Sequence, residues 1–116
     1  MGIKDLQKKI VAFRDRRDWK QFHNPKDLAL SLTLEAAEVL EHFQWKSEGE
    51  ISSYLKKAKN RKALGEELSD VLYWVLTLSD RVEIDLDKAF LRKMRKNEKK
   101  YPVRKAKGSS KKYTEL

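Results

Sequence analysis

Cysteine is absent from the 116 residues, which excludes disulfides, zinc–thiolate sites and thiol nucleophiles. Proline occurs twice and glycine four times, too sparse for a chain built on hairpins and tight turns. The abundance of Lys, Glu, Leu and Ala favours helices instead. No apolar run approaches the roughly 18 residues of a membrane span, and the N-terminus lacks the apolar stretch of a signal peptide. A cytoplasmic protein with no membrane partner is therefore expected. Its length suits a single helical unit with a real but modest core.

The formal charge is +9, and its location decides what it means. Residues 92–112 hold eleven Lys or Arg against one acid, Glu98, a net of +10. The remainder is nearly neutral, so the basicity belongs to the last helix and the tail, not to the body of the fold.

Along the chain, Ile3, Leu6, Ile10 and Phe13 recur at spacings of three and four, predicting a helix over 3–17. The segment Arg17-Asp-Trp-Lys-Gln-Phe-His23 breaks that rhythm and reads as a loop. Asn24-Pro25-Lys26-Asp27 is a helix start, with Asn as N-cap, Pro at the first position and an acid in the first turn. Leu28 to Leu34 alternates like a strand, but the cap precedes it and helical periodicity continues to Trp45. Ser47-Glu-Gly-Glu50 reads as a turn, followed by a short helix over 50–58 and a long one from Lys59 to Val82. A final helix runs from Leu86 to Lys100 and is stopped by Pro102. The expectation is an all-α, four-helix-bundle-like domain over 1–102 and a basic tail over 103–116.

What the chain does have, conspicuously, is a repeated acidic hexapeptide. Glu35-Ala-Ala-Glu38-Val-Leu and Glu67-Leu-Ser-Asp70-Val-Leu lie 32 positions apart. Each places two carboxylates at i and i+3, neighbours on one helix face. On a wheel with the first acid at 0°, the second falls at about 300°, and the apolar stripe spans roughly 40° to 140°. In the first copy the stripe is Leu32, Ala36, Val39, Leu40 and Phe43; in the second it is Leu64, Leu68, Val71, Leu72 and Val75. The acids thus flank apolar stripes, and packing the stripes together brings the carboxylates together.

None of the four acids has a Lys or Arg at i±3 or i±4, in a chain with 27 such residues. Unpaired like charges at this spacing are tolerated most readily where a cation is bound. All-oxygen ligands without sulfur suit Mg2+ or Mn2+. Mg2+ completes its shell with water and substrate phosphates, so chemistry on a phosphate ester or anhydride is indicated. A ferritin-like di-iron or di-manganese centre is the alternative metal, but it needs Glu-x-x-His, and His42 stands four residues after Glu38. Glu41 and Glu66 fall at about 240° and 260°, away from the stripe.

These residues resemble those of the MazG-like all-α nucleoside triphosphate pyrophosphohydrolases, most closely the dCTP pyrophosphatase branch. The resemblance extends over Arg17-Asp-Trp-Lys-Gln-Phe-His23, Phe43-Gln-Trp-Lys-Ser47, Glu66-Glu-Leu-Ser-Asp-Val-Leu72, Lys93-Met-x-x-Asn97 with Tyr101-Pro-Val103, and Lys112-Tyr-Thr114. It implies Mg2+-dependent hydrolysis of a nucleoside triphosphate to the monophosphate and pyrophosphate. Glu35, Glu38, Glu67 and Asp70 would then be the metal-holding and catalytic acids. Trp19, His23 and Trp45 would line a base pocket. Trp74 would join them near the base, where that branch carries a tyrosine. Lys93, Asn97, Lys100 and Tyr101 resemble its triphosphate clamp, with Lys100 where arginine is common. The resemblance also implies a homodimer or homotetramer with the pocket near a subunit contact.

A non-enzymatic alternative makes the basic last helix a contact for nucleic acid or an acidic partner. It explains the +10 segment but not the unpaired acids or the aromatic segments, so a nucleotide rather than a nucleic acid is the expected partner.

Overall fold

The computed structural model describes all 116 residues. The chain forms helices α1 (Ile3–Arg16), α2 (Pro25–Glu41), α3 (Glu48–Lys56), α4 (Ala58–Arg81), α5 (Leu86–Lys100) and α6 (Val103–Ala106), with no strand. It separates into two compact units, Met1–Glu83 and Ile84–Leu116.

Local chemistry sets the starts. Asn24 Oδ1 accepts from the Asp27 amide at 2.9 Å, and Pro25 occupies the first turn of α2. Asp85 caps α5 by accepting from the Lys88 amide at 3.2 Å. The Ser47–Glu50 segment is more than a turn: Ser47 Oγ accepts from the Glu50 amide, and Glu50 accepts from the Ser47 amide. This capping box starts α3 at Glu48, two residues before the expected position.

Helix α2 stops at Glu41, short of the expected Trp45. The amides of Phe43 and Gln44 both donate to Leu40 O, tightening the turn. Trp45 then takes a left-handed backbone, φ 66°, which an aromatic side chain rarely adopts and which keeps the helix from resuming. His42 Nδ1 meets Tyr54 Oη at 2.6 Å, tying the end of α2 to α3.

In the first unit α4 packs against α2, α1 and α3. Burial moves the centre of each acidic helix. On α2 the more buried positions are Leu28, Ser31, Leu32, Glu35 and Val39, an arc of about 320° to 60° on the wheel used above. Around the second motif of α4 they are Ala63, Leu64, Glu67, Val71, Tyr73, Trp74 and Val75, a wider arc of about 240° to 80° that again contains the first acid. Glu35 and Glu67 therefore sit in the middle of the packed faces, not at their edges as expected. The far side of each predicted stripe is left outside: Ala36, Leu40, Leu68 and Leu72 are exposed. The fully buried apolar core is thin, with Leu28 and Leu76 at 1% and 0% exposure.

Polar groups complete the interior. Thr77 and Ser79 are buried and return their hydroxyls to Tyr73 O and Leu76 O. Gln7 of α1 donates to Leu76 O and Ser79 Oγ at 3.0 and 2.9 Å. In the second unit, Tyr101 packs edge-on against Tyr113, with ring centroids 6.1 Å apart, and Lys100 Nζ lies 4.7 Å from the Tyr113 ring.

Candidate metal centre and aromatic hollow

Glu35 and Glu38 of α2 and Glu67 of α4 converge, each offering a carboxylate oxygen within 4.8 Å of the others. Asp70 is outside this trio. It lines a hollow of about 480 Å³ together with Glu35, Lys9, Ile10, Phe13, Trp19, Tyr73 and Trp74.

Convergence of like charges shows in the proton affinities. Burial, then the nearby Glu38, raises the pKa of Glu35 above the ordinary carboxylate value. Hydrogen bonding and charge from Glu67 raise Glu38. Burial, then Glu35 and Glu66, raise Asp70. One oxygen of Glu35 and one of Glu67, Oε2 in each, is buried with no hydrogen-bond partner. An orphaned buried carboxylate oxygen costs desolvation energy that a cation offsets. An all-carboxylate donor set fits a hard divalent cation such as Mg2+ or Mn2+, and three side chains leave positions for water or phosphate oxygens.

The sign of the pH dependence follows. Carboxyls whose folded-state pKa is raised contribute stability that is present below their ordinary pKa and lost as pH rises through the raised one. The metal-free protein therefore loses stability across that window, while a divalent cation held by these acids would compete with the same protons and restore it. Adding MgCl2 should raise Tm more at about pH 7.5 than at about pH 5. Equal increments at the two pH values, read by differential scanning fluorimetry, would count against a cation held by these acids.

The hollow has an aromatic wall. Phe13 and Trp19 meet edge-on at 5.7 Å, Phe13 and Tyr73 at 6.3 Å, and Tyr73 and Trp74 at 4.9 Å. His23 approaches Trp74 at 5.9 Å. Its Nδ1 is buried without a partner, and burial, reinforced by the Arg14 charge, pushes its pKa down. The imidazole is thus held neutral, with one ring nitrogen unused.

Of the residues expected at a base pocket, Trp19 and Trp74 line the hollow and His23 adjoins Trp74. Trp45 does not line it and is 92% exposed. Lys93, Asn97, Lys100 and Tyr101 lie on α5 in the second unit, at the spacing of one helix face. Phe13 and Tyr73 carry no sign of a site in the sequence, because at helical spacing an aromatic reads first as core. Lys9 had no signal at all.

The MazG-like family profile matches residues 30–116. Human dCTP pyrophosphatase 1 is 44% identical over 114 residues, 98% of this chain and 67% of that protein. The rat dCTP pyrophosphatase 1 is 43% identical over the same shares. A crystal structure of a pyrophosphatase from Archaeoglobus fulgidus DSM 4304 superposes with a TM-score of 0.77 at 44% identity, covering 85% of this chain and 91% of that one. The matched span contains both acidic motifs, and the solved relative shares the helical fold that brings their carboxylates together: this chain belongs to the MazG-like family.

Proposed function

We propose that the chain is a Mg2+-dependent nucleoside triphosphate pyrophosphohydrolase. Its preferred substrate is dCTP or a modified dCTP, hydrolysed to the monophosphate and pyrophosphate, a nucleotide-pool cleansing role. The observation that supports this most is the convergence of Glu35, Glu38 and Glu67 beside an aromatic hollow large enough to admit a nucleobase. The names of the 44% and 43% identical relatives point the same way.

Glu35, Glu38 and Glu67 hold the divalent cation. When bound, it neutralises phosphate charge and acidifies a water molecule. A carboxylate outside the trio can accept the attacking water's proton, and Asp70, which neighbours Glu35 and whose proton affinity is raised, takes that role in this reading. Trp19 and Trp74 offer stacking faces for the base. The neutral His23, with its unused Nδ1, reads a base edge. Lys93, Asn97, Lys100 and Tyr101 hold the triphosphate; Lys100 supplies charge without arginine's bidentate fork. The exposed Ala36, Leu40, Leu68 and Leu72 form an apolar face on the two acidic helices, which we assign to the contact of a homodimer or homotetramer.

The test is pyrophosphate release across a panel of nucleoside and deoxynucleoside triphosphates with Mg2+. The expected outcome is turnover of several, fastest with the cytosine deoxynucleotide, and none after EDTA. Release from no member of the panel would overturn the assignment.

A further inference from the structure

Helix α1 ends in a way that couples the aromatic wall to α4. The Trp19 amide donates to Arg14 O at 3.2 Å and the Asp18 amide to Asp15 O at 3.1 Å. Asp18 between them is left-handed, φ 52°. This is a Schellman ending, in which the residue two beyond the C-cap packs on the preceding helical turn. Here that residue is Trp19, and the partner it packs on is Phe13. Glycine is usual at the left-handed position; Asp is among the few other residues that take it, and Gln21 Nε2 braces it from Asp18 O and Oδ2.

Arg14, whose carbonyl receives Trp19, is itself fastened to the other helix. It is 2% exposed, and its Nη1 donates to Asp80 Oδ2 at 2.8 Å while Nε donates to Asp15 Oδ1 at 3.0 Å. Burial opposes the charge, yet the bonds to Asp80 and Asp15 outweigh it and keep the guanidinium charged. The neighbouring residue of α4, Arg81, donates Nε to His23 O at 3.0 Å. Both ends of the segment Trp19–His23 are therefore tied to the last turn of α4, one through Arg14 and Asp80, the other through Arg81. Trp74, two turns earlier on the same helix, stands against His23.

We propose that Arg14, Asp80 and Arg81 are positioning residues for base recognition: the last turn of α4 sets where α1 ends, and so where Trp19 and His23 stand relative to Tyr73 and Trp74. This rests on the reading above, in which the hollow receives a nucleobase. None of the three lines the hollow or belongs to the carboxylate trio. A long-range ion pair joining two elements is costly to leave half-made, and a wall displaced by an ångström loses substrate orientation.

The experiment uses the full chain as D80N, and as R81M, which removes an exposed side chain and so guards against a folding failure. Two readouts are taken. Hydrogen exchange at the Trp19 and His23 segment should quicken about tenfold or more in D80N, with α2 unchanged. For nucleotide turnover, KM for the preferred triphosphate should rise about tenfold with kcat within about twofold, and the ranking among bases should flatten, in both variants. Unchanged exchange in D80N overturns the clamp. Quickened exchange with KM and base ranking intact overturns its role in base recognition. A uniform fall in kcat for every base does the same. A wild-type protein that hydrolyses no triphosphate overturns the proposed function, and with it the base role, while the exchange arm alone still decides whether the clamp exists.

Discussion

Glu38→Gln is expected to lower kcat for pyrophosphate release by about a hundredfold or more, because under the proposed function it removes one anionic ligand of a cation that would stabilise the transition state. Glutamine preserves the shape of the side chain, so the loss is one of charge. The same substitution separates a metal site from a structural acid. Glu38 has no Lys or Arg partner along its helix, and its pKa is raised by hydrogen bonding and charge from Glu67. A neutral side chain there relieves repulsion, and the metal-free variant should unfold at the same temperature as the wild type or above it. The Tm increment on adding Mg2+ should shrink at the same time. A variant with full turnover, or one with a lower metal-free Tm and an unaltered response to Mg2+, would remove Glu38 from the site.

Leu76→Ala is the substitution expected to cost most in stability, about 3 to 5 kcal/mol. Leu76 is 0% exposed and shares the apolar interior only with Leu28 at comparable burial. Its main chain also receives Gln7 Nε2 and Ser79 Oγ, so neighbours cannot close the cavity without disturbing the bonds that join α1 to α4. Against a typical total of about 5 to 15 kcal/mol, a loss of this size leaves a chain close to unfolding. Urea denaturation at fixed protein concentration reads the difference, the concentration being held because an assembling chain gains stability by mass action. A cost below about 1 kcal/mol would show that this interior is not what holds the fold.

Much of the architecture was legible because it is written in local chemistry. Asn24-Pro25 announces α2, and Leu86 to Lys100 reads as a helix because Pro102 ends it. The convergence of Glu35, Glu38 and Glu67 follows from a motif repeated on two helices that pack together. What a wheel could not supply is the centre of the buried arc, which depends on which neighbours arrive. Helix α1 and helix α2 crowd α4 from different sides, so Glu67 is drawn inward while Leu68 and Leu72 are left exposed. Asp70, one turn along, lines the hollow together with Glu35 and does not join the trio.

Other features had no local sign. Ser47-Glu48-Gly49-Glu50 carries the capping-box spacing, but its glycine and polarity read equally well as a turn. Trp45, in the turn that follows α2, takes a conformation that its side chain disfavours, so nothing short of the surrounding fold predicts it. Arg14 sits in the charged run Arg14-Asp-Arg-Arg-Asp18, where a solvated face is the natural expectation. Its burial is dictated by Asp80, 66 residues away.

Phosphorus NMR of dCTP incubated with the protein and Mg2+ tests the central claim most directly, because it identifies which anhydride bond is broken. The account predicts dCMP and pyrophosphate as the products, formed together in equal amounts and abolished by EDTA. Appearance of dCDP and orthophosphate, or turnover that persists without a divalent cation, would contradict it.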